Sequence, residues 1–319
     1  MKNYIINKNN ILILGITGQD GSLLAQYYLK KNFKVFGYLT TKNKSFKNLK
    51  KLKILNKVQL FSYKKKSIEK VISITKCKYI FFLAGISSVV KGNLQKHKVI
   101  LSNNLLLIKI LEFLRKSNNK TIKILNASSS EIFGSNKKRN SEQSKINPVS
   151  YYGLAKSIST EIARLYRSQF GIKIFNAILF NHESPIRHKD YVIQKIITNA
   201  KSIYLKKIKK IYVGNLDVIR DWGWAPEYVK IMDKIINLEK SEDFIVATGK
   251  NNKLKNVIKY IFSYYNLDYK KFIIKSKKFE RSYEVIKISG NNKKLTKTIN
   301  YQPKILIKEI VNKMILKKF

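Results

Sequence analysis

The feature that most constrains this chain is an apolar run near its start that ends in three closely spaced glycines. Residues 11–14 are all aliphatic, and Gly15, Gly18 and Gly21 follow at every third position. A continuous apolar run is typical of a buried parallel strand, and glycines allow a sharp turn and a close approach of the backbone to a pyrophosphate at the start of the next helix. The pattern predicts a dinucleotide site, although a glycine triplet alone also occurs in ordinary strand-to-helix turns.

Apolar runs and amphipathic segments alternate along the first half of the chain. Because alternating strands and helices build parallel sheets, this succession predicts an α/β fold with a Rossmann-type, doubly wound parallel sheet. We expect residues 1–179 to form a dinucleotide-binding domain and residues 180–319 to form mainly a smaller substrate-binding lobe, with residues 243–249 returning to the sheet. After the first strand, further strands are predicted at residues 34–39, 58–63, 79–83, 122–126 and 173–179.

The composition excludes several classes of protein. With 319 residues, of which 44% are hydrophobic, the chain can bury a sizeable core and is not expected to be disordered. A single cysteine, Cys77, excludes an internal disulfide framework and a cysteine-based zinc cluster, and we predict no metal site. We expect no secretory signal before residue 11, and the longest apolar stretch, residues 79–90, is too short to span a bilayer. These features predict a cytoplasmic protein without a membrane partner.

The charge of the chain is unusual for a protein of this composition. Sixty-five basic residues against 19 acidic residues give a net charge of +46, which would ordinarily suggest nucleic acid or an anionic membrane as partner. The lysines are spread along the whole chain beside abundant asparagine and isoleucine, as an AT-rich coding bias would produce, and no arginine-rich arm stands out. We therefore expect no specific nucleic-acid partner. A non-catalytic anion or nucleic-acid binder that retains the fold stays open as the alternative from another class.

Tyr152 and Lys156 form the second chemical signal. Four residues apart on a predicted helix, they share one face, so the ammonium can lie near the phenol and favour its ionised form. Such a tyrosine can accept a proton from a sugar hydroxyl, and the lysine can hold a nicotinamide ribose. A simple surface pair is the alternative, but the serine-rich residues 128–134 at a predicted strand end support a site. The polar residues 135–148 are expected to form a loop over it.

At these three points the sequence resembles the extended short-chain dehydrogenase/reductase family. The opening Gly-Ile-Thr-Gly-Gln-Asp-Gly-Ser matches the GDP-mannose 4,6-dehydratase family without a change, and residues 129–134 resemble its catalytic Thr-Ser-Glu-Leu-Tyr-Gly. Residues 179–185, 214–223 and 244–249 look like further signature blocks of that family. The resemblance covers nearly the whole chain. It implies a GDP-sugar substrate and a nicotinamide cofactor.

The resemblance also implies a redox-neutral reaction, in which the cofactor takes a hydride from C4 of the sugar and returns it to C6. Tyr152, supported by Lys156 and Ser129, would take the proton of the 4-hydroxyl. Glu131 would remove the C5 proton and assist the loss of water across C5 and C6, which gives a 4-keto-6-deoxy sugar nucleotide. Simple epimerases and reductases need no carboxylate there, whereas decarboxylases look similar at this turn. Another sugar-nucleotide epimerase, reductase or decarboxylase therefore stays open.

The same matching implies which other residues contact the two ligands. On chemistry alone, His182 is equally compatible with a core histidine, and Arg220 with an ion pair to Asp217 or Asp221. The residues implied for the cofactor are Gly15, Ile16, Thr17, Gly18, Gln19, Asp20, Leu83, Ala84, Gly85, Ser87, Lys156, His182 and Arg187. The residues implied for the GDP-sugar are Asn181, Lys195, Arg220, Arg281 and Glu284.

The cofactor side departs from the family pattern. Thr40 and Thr41 stand where the family has an arginine pair that grips the 2′-phosphate of NADP and a neighbouring subunit. Lys42 and Lys44 can supply point charges but not bidentate forks. NADP is the cofactor that the family implies, NAD is possible, and a homo-oligomer, either a dimer or a tetramer, is expected. Other departures are Ile86, Ser88 and Ile186, which replace a glutamine, a histidine and an arginine, and residues 63–66, which lack the family's Gly-Asp-Leu.

Overall fold

The computed structural model describes residues 6–40, 45–136, 138–279 and 283–319 of the chain. The strands are β1 (Asn7–Leu14), β2 (Lys34–Leu39), β3 (Gln59–Ser62), β4 (Cys77–Phe82), β5 (Lys123–Ser129), β6 (Ile174–Leu179), β7 (Asn181–Glu183), β8 (Ile211–Val213), β9 (Ile219–Trp224), β10 (Asp243–Val246), β11 (Asn251–Lys253), β12 (Ile273–Lys275) and β13 (Lys287–Ile288). The helices are α1 (Gln19–Lys30), α2 (Lys47–Lys51), α3 (Ile68–Thr75), α4 (Val89–Leu94), α5 (Lys96–Lys116), α6 (Tyr151–Phe170), α7 (Val192–Tyr204), α8 (Ala225–Asn237), α9 (Leu254–Ser263), α10 (Lys293–Ile299) and α11 (Ile307–Ile315).

The central sheet has seven strands in the order β10-β6-β5-β4-β1-β2-β3, and every pair of neighbours is parallel. Helices cover both of its faces. On one face Leu24 of α1 packs in a core with Met232 of α8, and on the other face Leu107 of α5 packs with Ala163 of α6. The predicted Rossmann-type, doubly wound sheet is confirmed. Strand β10 pairs with β6, so a segment from the second half of the chain completes the sheet edge.

The first strand, turn and helix follow from the apolar run and its glycines. The side chains of residues 11–14 are fully buried, and burial of such aliphatic groups contributes about 1.5–3 kcal/mol each. Gly15 has a φ of +88°, and a Cβ there would lie 2.6 Å from the carbonyl oxygen of Leu83. A Cβ on Gly21 would lie 2.3 Å from the carbonyl oxygen of Gly15. Only glycine therefore allows β1, the turn and α1 to approach each other this closely.

The second half of the chain forms a lobe with its own core. Strands β11, β9 and β13 form a small sheet to which β7 is added through β9, and β8 pairs with β12. Trp222 and Trp224 on β9 are buried with apolar residues of α7, α9 and α11. Regular helices and strands therefore continue beyond residue 180, where the sequence pattern alone looks irregular.

The segment between β5 and α6 differs from its sequence-based prediction. Ser128 and Ser129 belong to strand β5, and the turn begins only after them. The described part of the loop that follows packs against the second half of the chain: the N–H of Asn140 donates to the carbonyl oxygen of Ser289, and the carboxylate of Glu142 accepts from the N–H of Ile245. The expectation that residues 135–148 cover the site is wrong: these polar groups find partners on β10 and directly after β13, and no described residue of this loop lines the cleft.

Candidate active site

A cleft of about 1310 Å³ opens at the carboxyl ends of the parallel strands, where the second lobe meets the sheet. In doubly wound folds this edge is where ligands bind, because the loops that leave adjacent strands diverge there. The glycine turn after β1, the loop after β4, the end of β5 and the start of α6 line one side of the cleft. Residues that follow β6 and lead into α7 line the other side.

The glycine turn presents the amino terminus of α1 to the cleft. The N–H of Gly18 donates to the carbonyl oxygen of Gly15 at 2.9 Å, and the hydroxyl of Ser22 donates to the carbonyl oxygens of Ile16 and Gly18. The first amides of a helix have no partner within the helix and attract anions. Together with the glycines, whose missing Cβ atoms leave room for a close approach, this turn fits a dinucleotide pyrophosphate.

Asp20 and His182 are joined by a hydrogen bond beside this turn. Nε2 of His182 lies 2.9 Å from the carboxylate of Asp20, and Nδ1 lies 2.6 Å from the carbonyl oxygen of Phe180. Burial alone would raise the pKa of Asp20, but the charge and the hydrogen bond of His182 outweigh burial and lower that pKa to about 2. Gln19 donates to the carbonyl oxygen of His182 and accepts from the hydroxyl of Ser184. These contacts tie the start of α1 to β7.

Ser129, Glu131, Tyr152 and Lys156 meet at the cleft. A Cβ on Gly153 would lie 2.6 Å from the carbonyl oxygen of Glu131, so this glycine lets the start of α6 approach the turn after β5. The N–H of Glu131 donates to the hydroxyl of Ser129 at 3.3 Å, and the ammonium of Lys156 donates to the carbonyl oxygen at the end of β5, 2.8 Å away on residue 127. The residues predicted to be catalytic therefore lie together.

Burial changes the acidity of the tyrosine and the lysine. It raises the pKa of Tyr152, while a hydrogen bond with Ser129 and the positive charge of Arg187 act in the opposite direction. Burial lowers the pKa of Lys156 to about 8. Lys156 is only 5% exposed, so the alternative interpretation of the Tyr152–Lys156 pattern as a simple surface pair is wrong.

The predicted cofactor residues lie along the cleft with one exception. Ile16 is fully buried in the core. Its side chain packs against Gly37 of β2, so closely that a side chain at this glycine would overlap it. Thr40 lines the cleft, together with Glu69, whereas Thr41, Lys42 and Lys44 lie outside the described residues. The predicted residues that line the cleft are Gly15, Thr17, Gly18, Gln19, Asp20, Leu83, Ala84, Gly85, Ser87, Lys156, His182 and Arg187.

The predicted substrate residues are divided between the cleft and the second lobe. Asn181 lines the cleft, whereas the ammonium of Lys195 lies over the ring of Phe279, 4.4 Å from its centroid. Arg220 on β9 is 6% exposed and donates to the carbonyl oxygens of Ile219 and Ile286. Glu284 lies in the segment that leads to β13, and Arg281 lies outside the described residues.

The two aspartates beside Arg220 have other partners. The carboxylate of Asp221 accepts hydrogen bonds from the backbone and hydroxyl of Thr248 and from the N–H of Gly249, and Asp217 pairs with Lys253 at 2.8 Å. Burial raises the pKa of Asp221 to about 6, against the effect of these hydrogen bonds. Asp221 therefore organises the turn after β10.

Glu183 and Tyr191 line the cleft but were not predicted from the sequence. Glu183 is 1% exposed, and its Oε2 lies 3.6 Å from Nε of Arg187. Its position directly after His182, within residues 179–185, which resemble a signature block of the family, is the sequence signal that could have identified it. Tyr191 directly precedes α7 in a stretch without a recognisable motif, so only the tertiary structure reveals it.

The described residues contain no cluster of three or more histidine, cysteine, aspartate or glutamate side chains suited to a metal ion. None of the described helices combines the length and the apolar character that crossing a membrane requires.

A doubly wound parallel sheet with a glycine turn, and with a tyrosine and a lysine on one helix of the cleft, is the arrangement of the extended short-chain dehydrogenase/reductase class. A family model described as GDP-mannose 4,6 dehydratase matches residues 12–314. The chain belongs to the GDP-mannose 4,6-dehydratase family.

Individual relatives agree with this family. The chain is 32% identical over 339 residues to GDP-mannose 4,6 dehydratase 2 of Caenorhabditis elegans, a match that covers 95% of this chain and 87% of that protein. It is 29% identical over 317 residues to GDP-mannose 4,6 dehydratase 1 of Arabidopsis thaliana, which covers 95% and 88% of the two chains. The fold is similar to that of dTDP-glucose 4,6-dehydratase from Bacillus anthracis in complex with NAD, with a TM-score of 0.85, 19% identity, and coverage of 97% and 96%.

Proposed function

We propose that this protein is a lyase that converts GDP-mannose to GDP-4-keto-6-deoxymannose. The observation that carries the proposal is the position of Glu131 at the cleft beside Ser129, Tyr152 and Lys156. Simple hydride transfer needs only the tyrosine and the lysine, whereas an elimination also needs a carboxylate as base. Membership of the family supplies the identity of the sugar nucleotide.

The bound nicotinamide dinucleotide would accept the hydride of C4 and return it to C6. Tyr152 takes the proton of the 4-hydroxyl, with Ser129 orienting both the phenol and the sugar hydroxyl. Lys156, whose ammonium is fixed by the carbonyl oxygen at the end of β5, holds the ribose and favours the ionised phenol. Once C4 is a ketone, the C5 proton is acidic, and Glu131 removes it and passes it to the 6-hydroxyl, which leaves as water. When the hydride is delivered to C6, C5 takes up the proton that Tyr152 received from the 4-hydroxyl, which returns Tyr152 to its starting state.

The ligand contacts belong to the same proposal. The amides of residues 15–20 bind the pyrophosphate, and Leu83, Ala84, Gly85 and Ser87 line the cofactor with His182 and Arg187. Asn181 contacts the sugar nucleotide in the cleft, and Lys195, Arg220, Arg281 and Glu284 serve its GDP portion. We propose NADP as cofactor, as the family implies, with NAD as the alternative that Thr40 favours, because a threonine offers no charge to a 2′-phosphate. The protein would work in the reducing cytosol, without a nucleic-acid or membrane partner.

The test of the proposed reaction is incubation of the purified protein with GDP-mannose and catalytic NADP or NAD, followed by mass spectrometry. We expect the sugar nucleotide to lose one water. Glu131→Gln removes the general base while keeping the shape of the side chain, so the rate should fall by about 10²–10⁴-fold.

A control variant and two contradicting results complete this test. Glu161→Gln on the exposed face of α6 is a matched control and should leave the rate unchanged, since its carboxylate pairs with Arg164 away from the cleft. Loss of water by the wild-type protein only from UDP- or dTDP-sugars would contradict the assignment of the substrate. A folded protein that dehydrates no sugar nucleotide would contradict the proposed reaction.

We also infer a homo-oligomer, either a dimer or a tetramer. Apolar side chains of α5 and α6 are exposed to solvent: Leu101 is 55% exposed, Leu105 50% and Leu165 46%, and the first two also border the cleft. Exposed apolar side chains on two adjacent, contacting helices are typical of an association surface, and a second copy of this chain offers the complementary surface.

A further inference from the structure

Tyr191 connects the two sides of the cleft. It directly precedes α7, in the second lobe, and its hydroxyl lies 2.8 Å from the hydroxyl of Ser87, in the loop after β4. The same phenol donates to the carbonyl oxygen of Ser87 at 3.3 Å. The two residues are 104 positions apart in the chain, so this contact links the loop after β4 to the start of α7, two segments that are distant in sequence.

The ring of Tyr191 also supports Arg187. The guanidinium carbon lies 3.6 Å from the centroid of the ring, within the range of a strong cation–π contact. Arg187 also contacts Glu183: Nε of Arg187 lies 3.6 Å from Oε2 of Glu183. Both atoms are buried, and neither makes a hydrogen bond within the described part of the chain. The planar guanidinium is therefore held by a carboxylate and a ring, with hydrogen-bonding capacity left for a ligand.

We propose that Tyr191 is a positioning residue for the bound dinucleotide. Its ring fixes the plane of Arg187, and its hydroxyl fixes the loop of Ser87, so one side chain organises a contact from each side of the cleft. The inference rests on the proposed function, which assigns Arg187 and Ser87 to the cofactor. A contact that is organised before the ligand arrives loses less conformational freedom on binding, and this slows the release of the ligand.

The hydroxyl can be tested separately from the ring. We would measure the dissociation rates of NADPH and NADH by stopped-flow nicotinamide fluorescence for the wild-type protein, Tyr191→Phe, Ser87→Ala and the double variant. Each single variant should release the dinucleotide about threefold faster, the effect of one partly solvated hydrogen bond. The double variant should be no faster than the faster single variant, because both substitutions remove the same hydrogen bond.

Removal of the ring should have a larger effect. Tyr191→Ala leaves Arg187 without its aromatic support and should weaken equilibrium binding of the dinucleotide about tenfold. Tyr191→Phe keeps the ring and should therefore keep most of the wild-type affinity. Tyr260→Phe is the matched control, since its hydroxyl donates to Asn312 at 2.9 Å within the second lobe and away from the cleft. This control should release the dinucleotide at the wild-type rate.

The outcomes separate the inference from the proposed function. Equal dissociation rates for the wild type and Tyr191→Phe, or additive effects of the two single substitutions, would overturn the positioning role while the protein still binds its cofactor. A lower melting temperature of Tyr191→Phe with an unchanged dissociation rate would overturn it as well, because it would show a purely structural role. A folded wild-type protein that binds neither dinucleotide would overturn the proposed function itself, and the inference with it.

Discussion

At the scale of single residues, burial dominates the chemistry of Tyr152 and Lys156. Both pKa shifts oppose the charged form that the proposed reaction needs, because burial disfavours the phenolate and the ammonium alike. Ser129 and Arg187 counteract the shift on the tyrosine. The site therefore depends on close partners for these two groups and not on solvent.

The lowered pKa of Lys156 predicts an alkaline limit to activity. The ammonium predominates below pH 8 and is lost as the pH rises through about 8, so kcat should fall above that pH if the charge supports Tyr152. Lys156→Arg stays charged, since the pKa of arginine lies above about 12, and its slower reaction should lack this alkaline limb. The measurement is the pH dependence of kcat for both proteins. An unchanged alkaline limb in the arginine variant would assign the limit to another group.

At the scale of elements, the approach of α6 to the turn after β5 creates the proposed catalytic cluster. Gly153 makes this approach possible, because a Cβ at this position would overlap the carbonyl oxygen of Glu131 and contact Pro148. Ser150 caps the start of α6: its side chain accepts from the N–H of Gly153 at 3.0 Å. The position of Tyr152 therefore depends on a cap and on a missing side chain.

Gly153→Ala should separate α6 from Glu131. Alanine is the better helix former by about 1 kcal/mol, but the overlap should outweigh this gain and lower the free energy of unfolding by about 1–3 kcal/mol. We also expect slower water elimination, because Tyr152 and Glu131 move apart. Urea unfolding and the dehydration assay measure the two effects. Gln169→Ala, on an exposed part of the same helix, is the control, and a Gly153→Ala protein of increased stability and full activity would contradict this role.

The exposed leucines of α5 and α6 predict a second effect at this scale. Leu105→Lys places a charge in the apolar face and should shift the protein from an oligomer towards a monomer in sedimentation velocity experiments. Leu205→Lys, at an equally exposed leucine of the second lobe, should leave the assembly unchanged. A wild-type protein that sediments as a monomer at micromolar concentration would contradict the inferred oligomer.

At the scale of the whole molecule, the net charge of +46 determines how strongly the protein binds polyanions. The protein should bind duplex DNA without sequence preference at low salt, and the affinity should fall by about a thousandfold between about 50 and 200 mM salt, as expected for counterion release. Fluorescence anisotropy of a labelled duplex measures this dependence. Tight binding that persists at physiological salt would instead favour the nucleic-acid binder that retains the fold.

Some features of this protein could be predicted from its sequence, and others required the tertiary structure. The glycine turn, the buried strands and the pairing of Tyr152 with Lys156 depend on interactions between near neighbours, so periodicity and spacing alone predicted the sheet and the centre of the site. The family resemblance, which is confirmed, extended the prediction to Glu131 and to most residues of the cleft. It could not show that Ile16 turns into the core or that residues 135–148 pack away from the site.

Contacts between distant segments required the tertiary structure. Asp20 and His182 are 162 positions apart, and Ser87 and Tyr191 are 104 apart, so no local pattern records either pair. Their meeting depends on how the second lobe packs against the carboxyl ends of the strands. The sequence by itself determined the fold class and predicted the Tyr152–Lys156 pair, because strand and helix periodicity and a four-residue spacing are local features. Only the packing of the two halves decided which side chains face each other across the cleft.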